Sequence, residues 1–335
     1  MDGRIGVVAI GRNEGERLVR CLRSAAPAGG ALVYVDSGSS DASVARAAEL
    51  GASVVELGAD RPFTAARARN AGFARLLEIA PDVAFVQFVD GDCELRPDWL
   101  EAARDALGAV SGRAAVCGRR RERHPDRSPW NRLVDLEWDT PVGPARAFGG
   151  DVMVRCDAFR AVGGYDAGRI AGEDPDLALR LRRAGYTLER LDREMTLHDA
   201  ALERFGQWWR RAVRGGHAYA EAWLGDGPPA EPETRRRVLS IVAWGGALPG
   251  CALLAAPATG GASLALAGLY GVLLARVYRG ARARGRAPGD AARQAAGVAM
   301  AKGAELQGVA LYIWNRLLRG RRTALIEYKG PARPT

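Results

Sequence analysis

The sequence predicts an α/β protein in which a mainly parallel sheet, flanked by helices, is followed by a helical region of membrane character. Three observations lead there. Over residues 5–118, short apolar runs alternate with helical patterns in the order βαβαβαβαβ. Those runs are nearly unbroken, as in Val83-Ala-Phe-Val-Gln-Phe-Val89, which a sheet buried on both faces requires. Further on, the 38 residues 238–275 carry no charge at all.

Strands are expected over 5–10, 31–36, 52–56, 83–89 and 114–118, and helices over 14–25, 41–50, 64–79 and 97–107. At 335 residues the chain has room for two domains, placed at 1–225 and 226–335. Its 48% hydrophobic and 26% charged residues exclude a disordered or collagen-like chain. Of 48 basic residues only Lys302 and Lys329 are lysines, and the formal charge of +9 favours anionic partners. Five scattered cysteines without a C-x-x-C pair argue against a disulfide framework or zinc site and fit a reducing compartment. The apolar run near Met1 is too short for a signal-peptide core, so the N-terminus is expected in the cytoplasm.

In open α/β sheets, ligands bind at the carboxyl ends of the strands. Here those ends read Gly11-Arg-Asn-Glu14, Asp36-Ser-Gly-Ser-Ser-Asp41 and Asp90-Gly-Asp92. Some of these residues are good helix caps, yet three acid-bearing ends at one sheet edge also make a ligand site. Neither G-x-G-x-x-G nor a P-loop occurs, so nucleotide phosphates would be held by a metal and arginines. Two carboxylates around one glycine suit a hard divalent cation. Just upstream, Arg67, Arg69 and Asn70 are in reach of a diphosphate, or form a solvated basic helix face.

Taken together, Asn13-Glu14, the 36–41 run, Ala68-Arg-Asn70 and Asp90-Gly-Asp92 resemble the family 2 glycosyltransferases of GT-A fold, of membrane-associated bacterial type. So do residues 149–166, Gly172-Glu-Asp174 and Gln207-Trp-Trp-Arg-Arg211, the last with Arg211 where the family usually has Trp. The resemblance spans roughly residues 4–220. It implies that Asn13, Glu14, Asp36 and Ser37 line the nucleoside pocket, with Asp36 near the base or ribose. It also implies that Arg67, Asn70, Gln207, Arg210 and Arg211 join donor binding. Asp90 would touch the ribose or the water around the metal, Asp92 would bind Mg2+ or Mn2+ directly, and His198 would add a metal or phosphate contact. Glu173 and Asp174 would provide the general base, Asp174 foremost. The chemistry requires such groups: an acceptor hydroxyl attacks the anomeric carbon as diphosphate leaves, so a carboxylate takes its proton and cations stabilise the leaving charge. One carboxylate opposite the leaving group gives inversion.

Plainer readings stand beside these. The acids at 173–176 also suit a helix N-terminus. His198 is equally a structural histidine, whereas His124 and His217 read as surface or loop residues. Trp208, Trp209 and Trp223 either stack on a sugar or belong to an amphipathic helix.

After a linker-like stretch at 227–232, the uncharged run fits two short membrane spans with a turn at Pro257-Ala-Thr-Gly-Gly261. Arginines at both ends, Arg235–Arg237 and Arg276 onward, put both on the cytoplasmic side as a hairpin. A re-entrant pair or a buried soluble hairpin is the other possibility. Over about 291–319, Leu306, Val309, Ala310, Ile313 and Leu317 recur at helical spacing among Lys302, Glu305, Asn315, Arg316 and Arg319. This reads as an amphipathic helix on an anionic membrane face, or as a helix packed on its own domain.

The expected activity is inverting, metal-dependent transfer from a nucleotide-diphosphate sugar, UDP-linked by default, to a glycan or lipid-linked acceptor hydroxyl. Its expected place is surface polysaccharide or glycolipid synthesis at the cytoplasmic face of the inner membrane. A polyprenyl-phosphate glycosyltransferase is the alternative. A basic nucleic-acid-binding protein is the more distant one, disfavoured because acids sit where a phosphate strand would pass.

Overall fold

The β-branched and aromatic runs pair into one nine-stranded sheet in the computed structural model, which describes residues 3–26, 30–225, 227, 229–320 and 326. The chain divides into two compact units, one of Met1–Pro125 and Glu137–Ala201, the other of Asp126–Leu136 and Leu202–Lys329. The expected boundary at 225/226 followed the extent of the sequence resemblance; compactness instead groups residues 202–225 with the C-terminal helices.

The first unit begins β1 (Arg4–Gly11), α1 (Glu16–Ala25), β2 (Leu32–Asp36), α2 (Ser43–Glu49), β3 (Ser53–Glu56), α3 (Ala65–Ile79) and β4 (Val83–Asp90). β3-β2-β1-β4 are parallel neighbours, with Gly11 in register with Asp36 and Ile10 with Asp90. That register brings the three acid-bearing strand ends to one edge. Gly72 lets α3 lie close on the sheet, since a Cβ there would meet Val8 Cγ1 at 2.3 Å.

Beyond β4 the sheet is mixed. β5 (Cys93–Leu95), α4 (Trp99–Ala109), β6 (Arg113–Glu122), α5 (Pro129–Trp138, most of it in the second unit), β7 (Gly143–Pro144), β8 (Val152–Arg155), α6 (Cys156–Ala161), α7 (Glu173–Arg183) and β9 (Thr187–His198) follow. β8 runs antiparallel between β4 and β6, while β6 and β9 are parallel. β5 and β9 pair antiparallel, which sets Cys93 opposite His198. The core lies on both faces of the sheet and includes Val8, Val35, Phe88, Met153 and Leu181.

The second unit contains α8 (Phe205–Leu224), α9 (Pro232–Val242), α10 (Leu248–Leu254), α11 (Leu269–Ala283) and α12 (Pro288–Tyr312). Two apolar helical stretches, Pro232–Leu254 and Ala262–Ala283, have mean hydropathies of 1.5 and 1.2 and are long enough to cross a membrane. The turn between them contains Gly260 and Gly261, both at positive φ, within the Pro-Ala-Thr-Gly-Gly segment singled out above. The stretches form a hairpin, with Trp244 and Tyr270 rings 5.5 Å apart.

α12 packs on its own unit: Val309 of the expected stripe is buried with Tyr312, Leu306 and Ile313 pack beside them, and small residues with Lys302 and Glu305, which pair at 3.1 Å out of water, complete the buried face. The small residues reflect close packing of α8 on α12: Cβ atoms at Gly216 and Gly308 would lie 2.0 Å from the carbonyl oxygens of Glu305 and Val213. Leu306 and Ile313 are half-buried, and the side chain of Leu317 lies outside the described residues. His217, expected at the surface, is buried on α8 with its ring 5.3 Å from that of Tyr312.

Candidate active site

At the carboxyl ends of β1 and β2, short polar side chains lock the two loops to each other. Asn13, at φ +55°, donates its backbone N–H to Ser39 Oγ (2.9 Å), and its Oδ1 accepts from Ser40 N (2.7 Å). Asp36 is buried and accepts four hydrogen bonds: from Tyr34 Oη and Ser39 Oγ on Oδ1, and from Gly38 N and Ser39 N on Oδ2. Its carboxylate therefore organises this loop, while the half-buried Ser37 donates its N–H to Gly11 O. Glu14 is buried against Arg17 at 2.8 Å.

The end of β4 meets the start of α7 through one guanidinium. Arg69 is 2% exposed and reaches Asp90 Oδ1 at 2.7 Å, Glu173 Oε1 at 3.2 Å and Asp174 Oδ1 at 3.4 Å. Burial alone would lower its pKa, but Asp174 and Asp90 outweigh that and raise it, so it is always charged. α7 starts at Gly172, at φ +79°, and carries Glu173, Asp174 and Asp176 in its first turn, where the helix dipole favours acids. The helix-terminus reading and the site reading thus hold for the same residues. Burial, opposed by Arg69 and aided by Glu173, pushes the Asp174 carboxyl up to about 7.

Asp90 also faces Arg120 (3.4 Å), which binds the fully buried Asp151 at 2.8 Å. Asp151 accepts from Asp90 N and Thr196 Oγ1, so it fixes the backbone at the end of β4. Asp92 is buried, with Oδ2 3.3 Å from His198 Nε2. His198 Nδ1 faces Glu122 Oε2 at 3.5 Å and has no hydrogen-bond partner among the described residues, and the Trp138 ring stands edge-on 4.6 Å from the imidazole. Donor atoms of Asp92, Cys93 and His198 lie within 4.8 Å of one another. Burial holds the Cys93 thiol protonated, which leaves a carboxylate and an imidazole as the donors. That pair, with Glu122 behind the histidine, fits a cation such as Mn2+.

Several expected contacts point elsewhere. Arg67 turns to Asp60 (3.2 Å) and the Arg61 carbonyl (2.7 Å), because its helical position faces the 60–61 loop. Asn70 clamps Tyr165, giving Nδ2–H to its carbonyl and accepting from its N–H. Gln207 accepts from the N–H groups of Glu203 and Arg204 and caps α8 in the second unit. Arg210 is exposed on that helix and Arg211 half-buried. Trp208 packs on Trp130, and Trp209 donates to Gln307, so both serve packing in the second unit. Sequence reasoning assigned no role to Asp151, Glu122 or Arg120. The only signal for Asp151 was its place in the Gly-Gly-Asp segment.

The glycosyl transferase family 2 model matches residues 7–162, the stretch that carries every strand end described above. That stretch is a family 2 glycosyltransferase domain. A second model, for the N-terminal domain of galactosyltransferase, matches residues 135–200, which include Asp151, Glu173, Asp174 and His198. Among solved structures, a mannosyltransferase from Pyrobaculum calidifontis, in complex with GDP-Man and Mn2+, is similar at TM-score 0.65 and 18% identity. The match covers 93% of this chain and 87% of that one, and shares the GT-A fold over nearly its full length. Glucosyl-3-phosphoglycerate synthase from Mycobacterium tuberculosis matches at 0.46 and 16%, over 69% of this chain and 82% of that one. No curated protein matches the sequence.

Proposed function

We propose that this glycosyltransferase is an inverting, divalent-metal-dependent enzyme that moves a sugar from a nucleoside diphosphate donor to an acceptor hydroxyl. One observation carries the reading: Arg69 joins Asp90 of the β4 end to Glu173 and Asp174 of α7, residues more than 80 positions apart in sequence. A leaving-group seat and a proton acceptor thereby share one site. Asp92 and His198 would hold the cation, which supplies positive charge against the departing diphosphate. Asp174 has a pKa near neutrality, as a general base needs, and its Oδ1 faces Arg69 at 3.4 Å without accepting a hydrogen bond among the described residues. Those features favour a hydroxyl over an already ionised lipid phosphate, which needs no base.

The exposed apolar hairpin supports a place at a membrane, on the cytoplasmic face if the arginines at its base follow the positive-inside bias, and a surface glycan or glycolipid as product. Fractionation of full-length protein tests the first part, and recovery without detergent would end it. The catalytic reading is tested by a panel of UDP- and GDP-sugars with Mn2+, scoring nucleoside diphosphate release. Release should vanish in excess chelator and in Asp92→Asn, and return with Mn2+ only in the wild type. Undiminished release under chelation would overturn the metal assignment.

A further inference from the structure

The base of the hairpin carries a second kind of site. Between α9 and α11 lies a cavity of about 510 Å³, walled by Trp244, Val272, Leu273 and Val277 and edged by Arg276 and Arg284. On the other side of α9 a cavity of about 650 Å³ repeats the pattern, with Trp223 and Leu239 as wall and Arg235 and Arg236 at the edge. None of these four guanidiniums makes an ion pair or side-chain hydrogen bond among the described residues. They contrast with Arg69, Arg120 and Arg132 of the same chain, each matched to carboxylates.

An apolar trough with unmatched arginines at one end is complementary to one chemistry, a hydrocarbon chain ending in an anion. Few residues of the stretches on which the troughs lie, Pro232–Leu254 and Ala262–Ala283, are buried, and Val272 is 61% exposed. Among the described residues of the second unit, none covers these walls. Guanidinium groups bind phosphate oxygens in pairs, which suits a phosphodiester better than a solvated surface does. Nucleic acid would match the arginines but not the aliphatic walls.

We infer that the two arginine-edged troughs flanking α9 seat anionic phospholipids, with the phosphodiester on Arg276 and Arg284 (or Arg235 and Arg236) and an acyl chain along the apolar wall. This rests on the membrane reading above and narrows it from general insertion to headgroup-selective seats.

The test uses full-length protein purified in mild detergent and examined by native mass spectrometry after exposure to phosphatidylglycerol, phosphatidylcholine or inorganic phosphate. Phosphatidylglycerol should be retained in preference to phosphatidylcholine, and phosphate alone should not compete. Each arginine near an anionic lipid surface is worth ~1 kcal/mol, so Arg276→Gln/Arg284→Gln should weaken phosphatidylglycerol binding at the first trough by about 30-fold. Arg276→Lys/Arg284→Lys keeps the charge and serves as the folding control, with an intermediate loss expected. Equal retention of both lipids by the wild type would overturn the inference, as would wild-type retention by the Gln variant. Full-length protein that stays soluble without detergent would instead remove the membrane reading itself, so the two failures are distinguishable.

Discussion

Replacing Arg69 by methionine keeps much of the side-chain volume and removes the one cation shared by Asp90, Glu173 and Asp174. The guanidinium is 2% exposed, so water cannot take its place without repacking. Breaking a buried pair by deleting one partner costs about 3–5 kcal/mol, because the remaining charge is left uncompensated. Glu173 and Asp174 lose their ion-pair partner here while Asp90 keeps Arg120, which puts the expected loss within that range at pH 8. The loss should shrink at pH 5. Burial already raises the Asp174 carboxyl and Arg69 opposes that rise, so the variant loses the opposition, and a group with a raised acid pKa is penalised at high pH and relieved as pH falls through its folded pKa. Denaturant or thermal unfolding of wild type and Arg69→Met at both pH values, with chelator present, measures the difference. A loss below about 1 kcal/mol at pH 8, or an equal loss at both pH values, would refute the idea that one buried cation holds the two motifs together.

The α8–α12 contact makes a second forecast. Gly216→Ala places a Cβ 2.0 Å from the Glu305 carbonyl oxygen, backbone that cannot swing aside, so a cost of about 1–3 kcal/mol is expected and an unchanged melting temperature would contradict it. His217 supplies a third. Burial pushes its pKa down to about 4 against about 6.5 unfolded, so its stabilising effect is full above pH 6.5 and lost as pH falls toward 4. His217→Phe should flatten the dependence of melting temperature on pH in that window; a wild-type profile in the variant would show that another group is responsible.

Much of the site was legible because strand ends in a parallel sheet have fixed places. Once β1, β2 and β4 were assigned, Asp36 and Asp90 had to share an edge, and the register of Gly11 with Asp36 and Ile10 with Asp90 shows that they do. Helical positions were less readable. Arg67, Arg69 and Asn70 are near neighbours, yet face a loop, the acid cluster and the Tyr165 backbone respectively. Helix phase decides that, and phase depends on packing that sequence spacing does not reveal. Long-range antiparallel pairing hid β8 and β9, and with them Asp151 as the brace of β4. The small-residue face of α12 was missed for a related reason: hydrophobic periodicity marks large side chains, whereas close helix packing selects Gly and Ala.

The most direct measurement of the central claim is transfer by Asp174→Asn, with donor affinity and acceptor-dependent rate determined separately. The substitution preserves shape and hydrogen-bonding capacity and removes the proton acceptor, so the rate should fall by about 10²–10⁴-fold while donor affinity barely changes. In the wild type, the rate should decline as pH drops through about 7, where the carboxyl takes up a proton. Glu173→Gln should lose less, as expected of a neighbour that orients. Wild-type transfer by Asp174→Asn would contradict the account and shift the assignment to an acceptor that needs no base, such as a lipid phosphate.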